Sequence, residues 1–528
     1  MNLRQPIEPD PAGVVTAIGS GEQAEIELKL LAPQEVLEKL FETPVIVQHA
    51  RNRGGVRRLE TVYYDTADGA LFQRGMSLRV RRSGKHFVQT LKLPPDIQEP
   101  LARRQWEVPV EGMTPDLAQL PEIGGSVATL TPDALVPAFA TRVRRHIRQL
   151  DLPDASVEIA FDVGTIEAGT RQQPLSEIEL ELKSGNAAAL FDLGTQLLDA
   201  APLQVGTQSK AERGYALAFD AMPRAKDAAP VNISVDHTVD DVVTLLMGAC
   251  WHHLLSNHAV AEQAFAPESV HQMRIALRRL RTICTLFRHK IPSHAFETIN
   301  SEAKWLMRQL GPTRDWDVCA TMIASRVATT TPEVDFAGLS EAIEQQRMAS
   351  HGRLQSVLDG RRYNRFLLTL GDCIERRSWR SDIDADALAA LSQPMPPLAD
   401  RILSRLRRKA LKRGTHFRHL DIAALHDLRI ELKKLRYATE FFSPLYAHHA
   451  PVKRYVARLA RLQKNLGRIC DIASIRRLLG SIQQDEHTAL DLAVGTATGW
   501  QTRDGMAATK TLRKRWRRFK AAPAFWRQ

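Results

Sequence analysis

EIELKL, residues 25–30, decides how the first 220 residues are read. In an extended strand successive side chains point to opposite faces, so Glu25, Glu27 and Lys29 share one face while Ile26, Leu28 and Leu30 share the other. One such segment taken alone reads as an ordinary half-buried strand with its charges in water. The pattern recurs, however. SLRVRR at 77–82 sets Arg79 and Arg81 opposite Leu78 and Val80, QTLK ends at Lys92, and EIELEL at 177–182 sets Glu177, Glu179 and Glu181 opposite Ile178, Leu180 and Leu182. Acidic and basic strands therefore coexist. If helices cover the apolar faces and the charged faces converge inside a closed barrel, the lumen holds carboxylates and cations together, and such groups cannot stay buried without partners. A metal triphosphate satisfies both signs, because hard Mg2+ takes carboxylate oxygens while Arg and Lys take phosphate oxygens.

Turn-rich stretches such as HARNRGG, TADGA, RSGKH and PPDIQEP separate these segments, as expected of an antiparallel β structure, with helices at 34–41 and 187–200. DAMPRAKDAAPVNISVDH at 220–237 has neither periodicity and marks a linker, placed at 221–235. Beyond it the pattern is helical, interrupted at 381–400. At 528 residues the chain is long enough for more than one core. The expected domains are 22–220 and 236–526. Their charges differ: residues 1–220 carry 23 Lys+Arg against 30 Asp+Glu, a balance of −7, leaving 49 against 30, or +19, for the remainder. A field of that sign attracts polyanions.

Five widely spaced cysteines, Cys250, Cys284, Cys319, Cys373 and Cys470, fit a reducing compartment better than a disulfide framework. The opening MNLRQPIEPDPAGVV has no apolar leader, and no apolar run reaches the ~18 residues a membrane span needs. The expected location is the cytoplasm, and no membrane partner is expected.

Taken in order, E-x-E-x-K at Glu25, Glu27 and Lys29, YYDT at 63–66, LRVRR with Arg79 and Arg81, LK with Lys92, FDVG with Asp162, EIELELKSG with Glu179 and Glu181, and SKAERGY with Lys210 and Arg213 resemble the CYTH, or triphosphate tunnel metalloenzyme, family. The resemblance covers roughly 22–220 and implies an antiparallel barrel of about eight strands with flanking helices. It also implies that Glu25, Glu27, Glu179 and Glu181 hold divalent metal, Mg2+ or Mn2+, with Asp162 as a further acidic group. Arg79, Arg81, Lys92 and Lys210 would grip phosphate, with Arg213 beside them. Lys29, Glu27 and Lys210 are the candidate catalytic groups; Lys29 serves as a base only if crowded cations depress its pKa. Two matches are looser. Gln105 stands where the family often has an acid, so Arg103 and Glu107 carry over less securely, and in TRVRRHIR the phosphate-binding arginine is best matched by Arg145, with Arg142 and Arg144 as competitors. The implied activity is inorganic triphosphate or short polyphosphate hydrolysis. Thiamine triphosphatase or adenylate cyclase chemistry in the same tunnel, and a non-catalytic polyphosphate scaffold, are the alternatives.

The second half contains a duplication. VHQMRIALRRLRTICTLF at 270–287 aligns with LHDLRIELKKLRYATEFF at 425–442, and QLGPTRDWDV at 309–318 pairs with NLGRICDIAS at 465–474. In the first copy Val270, Met273, Leu277, Leu280, Cys284 and Phe287 form an apolar seam at helical spacing. His271, Arg274, Arg278 and Arg281 flank it one residue later, and His426, Arg429, Lys433 and Arg436 repeat the flank in the second copy. Neither copy has regular acidic i+4 partners. Two such stripes facing one another would line a cationic groove for a flexible polyanion. The stripes carry no interleaved aromatics, which favours a phosphate chain over nucleic acid.

HxxRxxxRRLR from His271 to Arg281, LGPTRDWDV with Arg314, LHDLRIELKKLRY and the terminal PAFW resemble the CHAD family, the conserved-histidine α-helical domain, over roughly 236–526. That resemblance implies an all-α domain of two pseudo-twofold-related four-helix bundles, and inorganic polyphosphate binding by the His, Arg and Lys residues just named. Lys433 and Lys434 keep charge but lose bidentate geometry. Cys470 falls near the place of Arg314, so the second LG-type turn is expected to bind less strongly. A His near its ordinary pKa would strengthen binding in mild acid. The pairs His252-His253 and His448-His449 lack metal-ligand spacing.

Overall fold

The computed structural model describes residues 22–94, 102–120, 131–221, 224–263, 266–446, 451–482 and 488–527. The turn expected at PPDIQEP and the pair His448-His449 lie largely outside them.

Alternation of charged and apolar residues builds a closed barrel. Strands β1 (Glu22–Leu31), β2 (Gly55–Thr66), β3 (Ser77–Ser83), β4 (His86–Lys92), β5 (Ala102–Val110), β6 (Leu135–Leu152), β7 (Ala155–Ala168) and β8 (Arg171–Gly185) are ordered β5-β4-β3-β2-β6-β7-β8-β1, and β1 pairs back onto β5. Every described pairing is antiparallel. Closure leaves no edge among the eight strands. A short β9 (Gln204–Val205) adds to β1 at Leu30 and Leu31.

The register puts the charges face to face. Lys29 lies opposite Glu179, Glu27 opposite Glu181, Asp162 opposite both Arg145 and Glu177, and Glu25 opposite Arg103. The apolar faces turn outward and are covered. Helices α1 (Gln34–Leu40), α2 (Pro44–Val47) and α4 (Ala188–Ala200) lie over the β1 and β8 side, where Leu28, Leu30, Ile178 and Leu180 are buried. On the β2–β5 side, α3 (Ala70–Gln73) joins Leu78, Val80 and Leu91 in a second apolar layer.

The interior itself is divided. On the same inward face as the charges, Leu59, Tyr63, Phe139, Val143, Ile166 and Leu175 form an apolar plug with Ala211 and Tyr215 of α5 (Lys210–Phe219). A reciprocal capping box starts α5: the Ser209 hydroxyl accepts from Glu212 N at 3.1 Å, and the Glu212 carboxylate accepts from Ser209 N at 2.9 Å. That fixes Lys210, the first helical residue, at the border between plug and charges.

The remaining helices are α6 (Val239–Gln263), α7 (Pro267–Phe287), α8 (His294–Met322), α9 (Ala328–Thr330), α10 (Ala337–Leu358), α11 (Arg361–Glu375), α12 (Ala385–Leu391), α13 (Met395–Arg413), α14 (Ile422–Phe442), α15 (Pro451–Gly480) and α16 (Thr488–Lys520). Equivalent helices of the duplication touch, α7 with α14 and α8 with α15, and both expected seams are buried. Two local readings change. The interruption at 381–400 contains α12 and the start of α13, whose prolines occupy first-turn positions that tolerate them. The LG-type turns are not turns: Leu310–Val318 lies inside α8, with Pro312 within the helix, and 465–474 lies inside α15.

The chain separates into two compact units. The barrel's unit runs to Lys226 and also takes in Leu255–Ala264 and Leu358–Ser378, which holds α11; the other unit contains the rest. A linear boundary in sequence therefore does not follow the packing. Among the described residues no helix is long and apolar enough to cross a membrane. Cys250, Cys284, Cys319 and Cys373 are buried and not joined in disulfides.

A Cβ on Gly214 would stand 2.0 Å from the Phe139 ring, inside the plug. Gly214→Ala should therefore destabilise the barrel by about 1–3 kcal/mol, seen as a lowered melting transition by calorimetry; an unchanged transition would contradict the close approach.

Candidate active site and basic helical face

The centre of the barrel is an ionic lattice. Lys29 Nζ donates to Glu177 at 2.8 Å and to Glu179 at 2.6 Å, with Glu27 at 3.6 Å. Lys210 Nζ reaches Glu177 at 2.5 Å, Glu179 at 2.7 Å and Asp162 at 2.7 Å. Arg145 grips Asp162 through Nε at 2.7 Å and a terminal nitrogen at 2.5 Å, and also bonds Glu179. Oxygens of Asp162, Glu177 and Glu179 all lie within 4.8 Å of one another, and they are the one such acidic group among the described residues. Lys92 pairs with Glu25, and Arg79 lies 3.8 Å from Glu107.

Burial raises the proton affinity of every carboxylate here, so the partners decide the outcome. At Glu25 burial is outweighed by the Lys92 ammonium, which holds the pKa at about 2. Glu179 is likewise buried, yet Lys210, Lys29 and Arg145 hold it well below the ordinary range. Glu27 goes the other way: burial dominates, and Glu179 and Glu25 add repulsion against the help of Lys29. Among the cations, burial works against Lys29, but Glu177 and Glu179 raise its pKa well above the ordinary value. Sequence reasoning allowed Lys29 as a base only if neighbouring cations depressed its pKa; the surrounding carboxylates do the reverse and keep it charged. Arg81 has weaker support, from Tyr63 and Glu179. Burial, then Arg79 and Arg145, push it down to about 10, and its Nε has no hydrogen-bond partner. Tyr63 sits beside it, its phenol lowered by Arg79 and Arg81 against the effect of burial.

The barrel thus brings together Glu25, Glu27, Lys29, Arg79, Arg81, Lys92, Arg145, Asp162, Glu179 and Lys210. The competition at β6 resolves for Arg145: Arg142 and Arg144 are half-exposed and pair with Glu167 and Glu38. Arg103 is held by Leu93 O at 3.0 Å, and Arg213 by Pro174 O at 2.7 Å with Glu177 at 3.7 Å. Glu181 does not join the converging acidic group; it pairs with Lys183 at 2.6 Å and stays partly exposed. Its place is taken by Glu177, wholly buried, which the role assignments omitted. The alternation in EIELEL had already put Glu177 on the correct face; only its depth was missing.

On the helices, His271, Arg274, Arg278, Arg281, Arg314, Arg429, Lys433 and Arg436 are all half-buried and His426 is exposed. Arg274 donates to Met307 O at 3.0 Å, Arg281 to Asn300 at 3.2 Å and Arg314 to Pro267 O at 3.4 Å. Arg436 has an acidic i+4 partner after all, Glu440 at 2.6 Å. The two stripes sense each other: His271 is pushed down to about 4 by burial and by Arg314, Arg278, Arg274 and, from the other repeat, Lys433. Its expected titration near 6.5 is therefore corrected. His253 is a buried partner of Gln272 at 3.2 Å.

Comparison with known proteins agrees with this division. A family model described as CYTH domain matches residues 23–215 and one described as CHAD domain matches 245–480. The chain carries a CYTH domain followed by a CHAD domain. An inorganic triphosphatase of Haemophilus influenzae is 35% identical over 198 residues, 37% of this chain and 54% of that protein, so the match spans about half of that relative's length. An uncharacterized protein of Mycobacterium tuberculosis is 26% identical over 449 residues, 78% of this chain and 81% of its own. The crystal structure of the CHAD domain from the plant Ricinus communis gives a TM-score of 0.49 at 27% identity, covering 57% of this chain and 99% of that one.

In the ligand-free chain the His271 imidazole should titrate near pH 4. Because this lies below the unfolded value, His271 resists protonation in the fold, and its contribution to stability falls as pH drops from about 6.5 toward 4. Imidazole NMR reads this directly; a midpoint near 6.5 would contradict the close approach of the cations.

Proposed function

We propose that the barrel hydrolyses inorganic triphosphate or a short polyphosphate with a divalent metal, Mg2+ or Mn2+, and that the helical half binds inorganic polyphosphate. The supporting observation is the uneven charge pairing inside the barrel: three carboxylates converge within 4.8 Å, while the half-buried Arg81 keeps an Nε with no hydrogen-bond partner among the described residues and is crowded by Arg79 and Arg145. A divalent cation suits the first feature and a polyanion the second. The all-oxygen donor set fits Mg2+ or Mn2+. Asp162, Glu177 and Glu179 would hold the ion, with Glu27 and Glu25 as the neighbouring interior acids, and it would neutralise charge on the reacting phosphate.

The chain's own cations do the rest. Lys29, Lys210 and Arg145 stay protonated, so they bind phosphate oxygens and stabilise charge as water's oxygen bonds the terminal phosphorus, the bridging P–O bond breaks with its electron pair going to the departing pyrophosphate, and water's proton passes to the phosphate products or to solvent. A linear inorganic substrate is favoured over a nucleotide or thiamine ester because the rings of the plug are engaged with one another, Tyr63 stacked on Phe139 and Tyr215 meeting Phe139 edge-on. The Haemophilus relative bears the same activity in its name. A scaffold role is disfavoured because pure anion binding would be opposed by five interior carboxylates.

Polyphosphate fits the helical face because the two stripes are close enough for Lys433 to act on His271. Counter-ion release would drive binding, so affinity should fall steeply with salt, and Arg278→Glu should weaken it; single-stranded RNA that displaces polyphosphate at equal phosphate concentration would contradict the preference. For the barrel, Glu177→Gln and Glu179→Gln should each lower metal-dependent phosphate release by about a hundredfold or more. Glu181→Gln, at the Lys183 pair, should cost less than about tenfold on the same reasoning. Equal activity in all three variants would remove the assignment of the acidic trio.

A further inference from the structure

A helix from within the CHAD-matched segment packs in the barrel's own unit, and its contacts lead to the catalytic centre. Helix α11 crosses α4 at glycines on both sides. A Cβ on Gly371 would stand 2.2 Å from the Phe191 ring, and one on Gly194 2.9 Å from Leu28 and 3.4 Å from Leu368. Such approaches leave little room for sliding, since close-packed interiors transmit displacement. Ion pairs of Arg365 with Asp199 and Arg376 with Asp192 border the crossing.

At the start of α11, Asn364 is fully buried and uses both ends of its amide. Its Nδ2 donates to Leu358 O and Gly360 O, each at 3.1 Å, which locks the side chain to the turn that joins α10 to α11. Its Oδ1 accepts from Val205 N at 2.8 Å. Val205 is half of β9, opposite Leu30 of β1. The next residue, Gly206, donates its N–H to Lys29 O at 2.8 Å, and a Cβ there would meet Lys29 Cγ at 2.7 Å. The aliphatic stem of Lys29 therefore runs directly over the Gly206 backbone before its ammonium enters the carboxylate trio. Two residues of strand are marginal alone; Asn364 adds a buried anchor on the side of β9 away from β1. Gln204 adds a second tie, donating to Asp359 at 3.0 Å.

We propose that Asn364 is a positioning residue for the barrel's reaction: through β9 and Gly206 it sets the backbone and stem of Lys29, so residues matched to the CHAD domain complete the CYTH site. The consequence for catalysis rests on the triphosphatase reading; the structural link does not. A misplaced group far from the chemistry lowers turnover more than binding when it disturbs reacting geometry.

The full chain is used for the test. In the wild type, hydrogen exchange should show the Val205 and Gly206 amides protected on the scale of the β1 amides; rapid exchange there overturns the link without any variant. Asn364→Leu keeps the branched shape but removes both the acceptor and the donors, and Asn364→Ala removes the shape as well. Both should speed exchange at 204–206 and 28–31, and lower kcat for metal triphosphate by about tenfold or more with KM within about twofold. Unchanged exchange, or faster exchange with unchanged kcat, overturns the proposal. If the wild type releases no phosphate, the triphosphatase reading fails, and exchange alone decides whether Asn364 holds β9 to Lys29.

Discussion

Everything in the first domain depends on the ion lattice joining Lys29, Lys210 and Arg145 to Asp162, Glu177 and Glu179. Removing charges from water is expensive, and their mutual attraction repays it only when geometry and hydrogen bonding are nearly complete. The barrel achieves that by drawing partners from five elements: β1 and β8 face each other across one pairing, β6 and β7 across another, and α5 delivers Lys210 from its capped first turn. Such a lattice is weak support for stability, since apolar side chains of similar volume would serve as well. Its retention argues for a charged ligand of both signs.

The division of the interior is part of the same economy of space. Charges occupy one zone and the Tyr63–Phe139–Tyr215 plug the other, so α5 both seals apolar surface and brings a cation to the border. The arrangement keeps the cations protonated and the acids largely ionised, and leaves Glu27 and Arg81 least compensated. Those two are where a cation and an anion have most to offer.

Much of this was legible in the sequence because strand alternation has a period of two. EIELKL, SLRVRR and EIELEL each declared a charged face, and Glu25, Glu27, Lys29, Arg79, Arg81 and Glu179 all point into the barrel. What the alternation does not carry is depth along a strand. Glu177 and Glu181 share a face, and only the register with Asp162 and Glu27 shows that one is central and the other lies by Lys183. In TRVRR the choice among three arginines needed the neighbour, Asp162, that selects Arg145. The duplicated seams were equally plain at helical spacing, whereas the lowered pKa of His271 comes from burial, then from Arg314, Arg278 and Arg274, with a contribution from Lys433, 162 positions away in sequence. Helix α11 reads as an ordinary amphipathic helix, and nothing local assigns it to the barrel: the glycine crossing and the Asn364 bond are tertiary facts.

The central claim is that the buried ionic side chains of the barrel cage a metal-bearing phosphate chain. Electron paramagnetic resonance of Mn2+ added to the full chain with triphosphate tests it most directly. The expected result is a bound-ion spectrum with phosphorus hyperfine coupling, lost when the carboxylate trio is neutralised. A spectrum of free aqueous Mn2+ at protein excess, or a bound ion untouched by loss of those carboxylates, would contradict it.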